Sequence, residues 1–596
     1  MTQSIRSSKF VFTWGPGAIL EGQNGPRVIP RPDIGIFTPN SDLKPENFQI
    51  SDRRMSEGLL GGSMIFKLPS NSELGVGENE AIYCTKRFPE WSLCLNRREH
   101  QEDFYVLYHE DYCPVCGRYG RRGQEAVRFI VACPRGHMDD VDWWFLVHRK
   151  GGTSCPHRNW FRWYGGGGML SEIEIECPEC RIRVNLGEAY NIKWSCSGRF
   201  PEQEQLDDSP LCSSCDSNAR MIQRQASNLR IPDLRTLFTI LWYTELHNLI
   251  QKDIIRAALF TNEIPESKDE LERILNNLVN ERLITLITHD SILGNTWPQI
   301  HQAIRDVRSP IPHSYNALIL QEFHALIDAS INGAPPARLP RYASPVIFEV
   351  IRDFVRKFCS PGGTTFSIAP IQRMRTVTVQ TGYRREVDTE NPAEPVDISF
   401  LHNGEIWYPG VEFLGEGIFI RFDEDSGWYD LQKGDSAETW INVYNESSSY
   451  PSHVFRDSQE KIELHPEFVW WHTLGHLLIR AISVESGYSS ASIRERIYLE
   501  TDGFKARGGI LLYATQPGSE GTLGGLIALV PHFEDIFEMA FEQLAFCSGD
   551  PLCIENKFSQ GKYNGAACYG CLLLSETSCE HRNMWLDRNI VLENSP

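Results

Sequence analysis

Cysteines recur in this chain at the Cys-x-x-Cys spacing, at which one tight turn can offer two thiolates to a single metal ion. The first such pair is Cys113-Pro-Val-Cys116, and Cys133-Pro-Arg-Gly-His137 follows it. A second region runs through Cys177-Pro-Glu-Cys180, Cys196 and Cys212-Ser-Ser-Cys215, and a third through Cys553, Cys568-Tyr-Gly-Cys571 and Cys579. Structural zinc takes four thiolate or imidazole ligands in a tetrahedron. Cys113, Cys116, Cys133 and His137 supply one complete set. The second region offers five cysteines for four places: Cys177, Cys180, Cys212 and Cys215 form the regular double knuckle, and Cys196 can replace a member of the last pair. Cys155 and His157 lie close by and could complete either site, although ordinary loop residues are the preferred reading of both. For the third region the expected ligands are Cys553, Cys568, Cys571 and Cys579, with Cys547 and His581 as spares. Three zinc ions are therefore expected. A catalytic zinc keeps a position open for water, and full sets of this kind leave none, so the expected role is to hold the fold.

Other residue patterns invite chemistry and carry it less well. His472-Thr-Leu-Gly-His476 sets two imidazoles one helical turn apart, as in zinc peptidases, but Thr473 stands where those enzymes place a glutamate. Apolar neighbours make a packed helix with satisfied histidines the preferred reading. The alternative function is a metal-dependent nuclease or hydrolase using His472, His476 and Glu520. The stretch from Gln516 to Gly525 could hold an anion at a helix start, yet it matches neither a Walker loop nor a dinucleotide fingerprint. Basic candidates for nucleic-acid contact are Arg118, Arg121 and Arg122 beside the first knuckle, Arg373 and Arg375, and Arg384 and Arg385; solvated loops and strand faces are the plainer account of each. Trp143 and Trp144 could stack single-stranded bases, although such aromatics are more often core.

A chain of 596 residues must divide into several cores, and 41% hydrophobic with 23% charged residues is ordinary for a folded protein. The net charge of −20 argues against a surface that coats nucleic acid as a whole, while leaving room for a local basic groove. Seventeen cysteines, an odd count with Cys-x-x-Cys pairs, suit reduced thiolates on metal better than disulfides. The opening Met1-Thr-Gln-Ser-Ile-Arg6 lacks a signal-peptide core and no apolar run spans a bilayer, so a cytoplasmic location is expected. The expected fold is α+β and multidomain: a zinc-knuckle N-terminal half, a helical middle, and a mixed α/β C-terminal domain closed by a four-cysteine zinc site. The segments are 1–110, rich in turns and short strands; 111–228, with two metal sites; 229–345, helical; 346–450, mixed β; and 451–596, α/β. Three-to-four spacing of apolar residues over 234–243 and 271–278 predicts helices, and alternation over 377–379 and 415–422 predicts strands. Residues 466–486 read as a long helix, 496–500 and 509–513 as strands, and 521–546 as mostly helix.

Several segments together resemble the DrmB family of the bacterial DISARM anti-phage defence system. They are Phe12-Thr-Trp-Gly-Pro-Gly-Ala-Ile19, Ala132-Cys-Pro-Arg-Gly-His-Met-Asp-Asp140, Arg224-Gln-Ala-Ser-Asn228, Gly415-Glu-Gly-Ile-Phe419, Asn564-Gly-Ala-Ala-Cys-Tyr-Gly-Cys-Leu572, Glu576-Thr-Ser-Cys579 and Leu586-Asp-Arg588. Residues 451–596 are similar to the four-cysteine domain that also ends Mrf-type helicases, which implies zinc on Cys553, Cys568, Cys571 and Cys579. In the family a cysteine stands near Cys196 and another near Cys212, which would make Cys215 an extra. The resemblance implies an SNF2-like helicase partner of the DrmA type, DNA binding through their complex, and ATP hydrolysis by that partner. Independently, no Walker lysine motif is present here.

Overall fold

The structure, a computed structural model, describes residues 4–22, 25–36, 44–100, 104–118, 124–149, 155–166, 168–204, 210–239, 245–260, 265–308, 311–338, 346–360, 362–388, 391–423, 434–446, 465–486, 489–502, 505–516, 524–559, 562–575 and 578–594. Two compact units emerge, each built from more than one stretch of chain. The first takes residues 1–51, 63–236 and 378–411, and the second takes 52–62, 237–377 and 412–596.

Short strands dominate the first unit. A six-stranded sheet runs in the order Arg183–Asn185, Glu174–Glu176, Trp160–Tyr164, Tyr105–Tyr108, Ser92–Cys94 and Gln124–Ala126. Along Trp160–Tyr164, Phe161 and Trp163 point inward while their neighbours are half-buried, the period-two signature of a strand with one dry face. They pack with Leu107, Ile175 and Trp143. Trp143 opens the helix Trp143–His148, whose first turn is capped by Asp142 accepting the Phe145 N–H. Trp143 is fully buried, and the Arg158 guanidinium lies over the Trp144 ring, so neither tryptophan is set out as a platform for bases. A second, four-stranded sheet orders Lys193–Ser195, Asn218–Gln223, Phe129–Ala132 and Met138–Asp140. Strands of three to six residues bury little each, and such a unit needs staples beyond its own core.

The second unit contains the helical middle. Lys268–Asn280 starts at Ser267, whose hydroxyl accepts the Glu270 N–H, and buries Leu271, Leu275 and Leu278. That stripe shares a cluster with Ile300, Ala303 and Ile304 of Trp297–Arg308. The expected helix over 234–243 is corrected: residues 234–238 belong to the strand Ile231–Phe238, which pairs with Thr365–Arg384, and 240–243 lie outside the described residues. Sheet pairing has overridden an apolar spacing that also suits a helix. The helix Pro466–Ser486 forms as expected and is apolar on nearly every side, so it is core rather than surface. Trp470, Trp471, Leu474, Leu477 and Leu478 pack there with Ile497, Ile510 and Phe537. The strands Ile493–Asp502 and Lys505–Gln516 form an antiparallel pair, with Glu495 opposite Leu512, and Ile418 of Glu405–Phe422 flanks Leu512 on the other side. Among the described residues no helix is long and apolar enough to cross a membrane.

Candidate metal centres

All seventeen cysteines are free of disulfides, and thirteen of them gather into four sulfur-rich groups. In each group the ligand atoms lie within 4.8 Å of one another. Three of the groups lie in the first unit.

Cys113 and Cys116 meet Cys94 and His100. The turn between the two knuckle cysteines is closed by the Gly117 N–H donating to the Cys113 carbonyl at 2.8 Å. Cys94 Sγ and Cys116 Sγ are 3.8 Å apart, and His100 Nε2 is 3.5 Å from Cys113 Sγ. Two thiolates on a tetrahedral zinc with about 2.3 Å bonds sit about 3.8 Å apart, whereas a disulfide needs about 2 Å. The His100 Nδ1–H donates to the Phe104 carbonyl at 3.0 Å, which leaves Nε2 as the lone-pair nitrogen facing the sulfurs. A hydrogen bond from the Cys94 thiol brings Cys113 down to about 5, so one sulfur of the set is already biased towards thiolate.

Cys133 and His137 meet Cys196 and Cys215. The four-stranded sheet explains why. Ala132 pairs with Arg220 and with Met138, and Ser195 pairs with Asn218, so the residues just beyond these strand ends all emerge at one edge. His137 Nδ1 is 3.3 Å from Cys133 Sγ, and the Ser213 hydroxyl lies 3.2 Å from its Nε2. Hydrogen bonds from Cys196 and then His137 hold Cys133 down at about 4. Gly198 closes the turn after Cys196 at φ +72°, and a Cβ there would lie 1.7 Å from the Ser213 carbonyl oxygen. Gly198→Ala is therefore expected to cost about 2 kcal/mol or more and to weaken metal retention at this centre, as thermal unfolding and metal analysis of the purified variant would show.

Cys177 and Cys180 meet His148 and Cys155. His148 comes from the last turn of Trp143–His148, donates from Nδ1 to the Trp144 carbonyl at 2.8 Å, and turns Nε2 to within 3.3 Å of Cys180 Sγ. Cys155 Sγ and Cys177 Sγ are 3.8 Å apart.

The fourth group, in the second unit, is Cys547, Cys553, Cys568 and Cys571. Cys553 and Cys571 are 3.8 Å apart and Cys568 and Cys571 are 3.7 Å apart, while backbone N–H groups of Gly549 and Cys568 donate to the sulfurs of Cys547 and Cys571. No helix or strand occurs between Leu544 and Arg588 among the described residues, so turns and these sulfurs order the segment.

The pairs Cys113–Cys116, Cys133–His137, Cys177–Cys180 and Cys568–Cys571 each enter one group as expected, whereas Cys212–Cys215 is split, and the partners differ from those expected. Cys113 and Cys116 are not joined by Cys133 and His137; the two pairs belong to separate groups, because each lies at the end of a different sheet. Cys177 and Cys180 are likewise parted from Cys196 and Cys215. Cys212 is exposed, bridges Arg199 through the backbone and joins no group among the described residues. Cys547 takes the place given to Cys579, which lies instead with His472, His476 and Glu495. Cys94, His100 and His148 carry no signal in the sequence, where each stands outside any Cys-x-x-Cys unit; Cys155, for which a loop residue is the preferred reading and completion of a site the alternative, does complete one. His157 donates from Nε2 to the Trp160 carbonyl at 2.8 Å, sits beside Glu179 and joins no group among the described residues.

The basic candidates divide. Arg375 is buried and forked onto Glu412, Arg384 pairs with Asp233, and Arg385 is fully buried with its donors on the carbonyls of Gly136, Leu229 and Gly17. These three hold the fold together and are withdrawn from any nucleic acid. Arg373 is half-buried and bonds the Gln372 carbonyl; Arg118 is exposed and pairs with Glu99. Arg121, Arg122 and Glu520 lie outside the described residues.

Comparison with known proteins bears on both units. A domain of unknown function, DUF8724, matches residues 6–231, and the MrfA Zn-binding domain matches residues 474–572, a span that holds all four cysteines of the fourth group. DISARM protein DrmB of Bacillus paralicheniformis is 28% identical over 543 residues, which cover 85% of this chain and 88% of the relative. A crystal structure of the DUF1998 helicase MrfA bound to DNA overlaps 34% of this chain and a fifth of its own, 20%, at 13% identity and a TM-score of 0.18, too low to inform the fold. The donor sets fit zinc: each has three or four thiolates completed by imidazole where needed, with ring N–H groups anchored on protein acceptors.

Proposed function

Starting from a chain related to DISARM protein DrmB over most of its length, we infer that it is a non-catalytic accessory subunit of a bacterial anti-phage restriction complex. The similarity along nearly all of both chains is the observation that carries this reading. Four zinc ions, one in each sulfur-rich group, hold the subunit in shape. Bound there, zinc contributes its ligation energy directly to folding, and the filled donor sets leave no ligand position for a substrate.

The partner is an SNF2-like helicase of the DrmA type, which supplies ATP hydrolysis, and DNA is held by the complex in the cytoplasm. A net charge of −20 suits docking on a basic motor better than clamping DNA alone. With Arg375, Arg384 and Arg385 buried, the DNA-facing role falls to the basic residues Arg118, Arg121 and Arg122 that follow Cys116 in the sequence, of which Arg118 is exposed. Mixed with the purified helicase, the protein is expected to co-elute from a sizing column and to raise DNA-stimulated ATPase activity. Separate elution with unchanged ATPase activity would defeat the proposal.

A further inference from the structure

We propose that His472, His476, Glu495 and Cys579 hold an additional zinc ion, at a site distinct from the sulfur-rich groups and from the span matched by the MrfA Zn-binding domain, which leaves out His472 and Cys579. The proposal does not depend on the DISARM reading.

Three elements converge on the site. The helix Pro466–Ser486 brings both imidazoles on one face, the strand Ile493–Asp502 brings Glu495, and the C-terminal segment brings Cys579. A backbone hydrogen bond from Glu495 N–H to the Ser578 carbonyl at 3.0 Å fixes the last two against each other. His472 Nε2 and His476 Nε2 both face the same oxygen, Glu495 Oε1, at 2.9 and 3.0 Å, and Cys579 Sγ is 3.2 Å from His472 Nε2.

The other ring nitrogens decide what lies between these atoms. His476 Nδ1 is 2.9 Å from the Leu572 carbonyl oxygen and His472 Nδ1 is 3.3 Å from that of Trp585. A carbonyl only accepts, so each Nδ1 carries the proton and each neutral ring turns a lone pair from Nε2 towards Glu495. Two nitrogen lone pairs and a carboxylate oxygen would then repel at close range, in a place where all three side chains are fully buried. Protonating both Nε2 atoms removes the repulsion but leaves two imidazolium rings, their centroids 4.7 Å apart, against one carboxylate. A divalent cation resolves both problems. It accepts all the lone pairs, and with the Glu495 carboxylate and a Cys579 thiolate it brings the site to zero net charge.

Three neighbouring details fit a metal ion. Cys579 Sγ accepts backbone N–H groups of His581 and Asn583 at 3.3 Å each, two donors that oppose the burial and the Glu495 charge which otherwise push this thiol up, as a cation beside it would. Glu495 Oε2 is buried beside Gly475 with no hydrogen-bond partner, which leaves the carboxylate's charge to be met on its Oε1 side, where the imidazoles are. Gly475 stands in mid-helix between the histidines, where glycine costs about 1 kcal/mol relative to alanine, and a Cβ there would lie 2.6 Å from Glu495 Oε2. The residue spends helix stability to admit the carboxylate. Imidazole, carboxylate and a single thiolate together suit zinc, and ring N–H groups on backbone carbonyls are the usual support of metal-bound histidine. With the site sealed from solvent, the ion clasps helix, strand and C-terminal segment rather than reacting with a substrate.

Diffraction from crystals of the full chain at the zinc edge tests this directly. An anomalous peak is expected between His472 and Cys579, in addition to those at the sulfur-rich groups. Metal analysis is expected to lose one equivalent of zinc in Cys579→Ser and in His476→Gln. The proposal is overturned by crystals with peaks at the cysteine-rich groups and none here, or by a folded Cys579→Ser chain that keeps the wild-type zinc count. If neither variant folds, the wild-type crystals alone decide.

Discussion

Cys571→Ser in the full chain is expected to lose one zinc ion and to melt residues 545–575 while the helix Pro466–Ser486 stays folded. Cys571 is 5% exposed and packs with Leu572 and Phe558 in the core around that helix. The segment itself has no regular secondary structure among the described residues, so its ordering entropy, roughly 1–2 kcal/mol per residue, has few backbone ladders to offset it. Structural zinc contributes roughly 10–16 kcal/mol in small zinc-folded peptides, enough to decide whether such a segment is ordered. Limited proteolysis should cut the variant between residues 545 and 575 under conditions that spare the parent, and a chelator should reproduce the pattern in the parent. An unchanged digest from a metal-depleted protein would show that packing alone holds the segment.

Glu322→Ala should cost about 3–5 kcal/mol, the second large effect, without touching any metal ligand. Glu322 is fully buried in the helix Tyr315–Asn332. One oxygen accepts the Phe238 N–H at 2.9 Å and the other takes Arg496 Nη1 at 2.8 Å, with Arg54 at 3.6 Å. Both guanidiniums are buried, and Arg54 also reaches the carbonyls of Phe238 and Leu318. Removing the carboxylate leaves the buried Arg54 with backbone carbonyls alone and takes from Arg496 one of its two carboxylates, the other being the partly exposed Glu580 at 2.7 Å; breaking a buried charge network from one side is worse than never having buried it. Urea unfolding should show a lowered midpoint for the second unit. The pair Glu322→Leu with Arg496→Met should recover part of the loss, because one of the two cations that Glu322 serves goes with it.

How much of this could be read from the sequence depended on the length scale of each feature. Individual knuckles were legible, since a Cys-x-x-Cys turn is set by four adjacent residues. Their pairing was not, because it is decided by which strand ends share a sheet edge: Cys133 and Cys196 meet only through the strand Asn218–Gln223 that lies between theirs. Lone ligands such as Cys94 and His148 carry no local signal at all. The long helix at residues 466–486 was legible from its unbroken apolar character, whereas residues 234–238 satisfied a helical spacing and became a strand. The arginines at 375, 384 and 385 looked like a basic face because sequence does not show that Glu412, Asp233 and backbone carbonyls would enclose them.

The ligand order in the first unit also constrains how the chain can be assembled. His148, Cys155, Cys177 and Cys180 all fall between His137 and Cys196, so one centre is threaded wholly inside the loop that another must close. Closing a shorter loop costs less chain entropy, and tying it off first shortens the span left for the outer centre. Zinc loading here is thus expected to run from the inside out, with metal scarcity leaving the chain with its inner module finished and its outer edge still open.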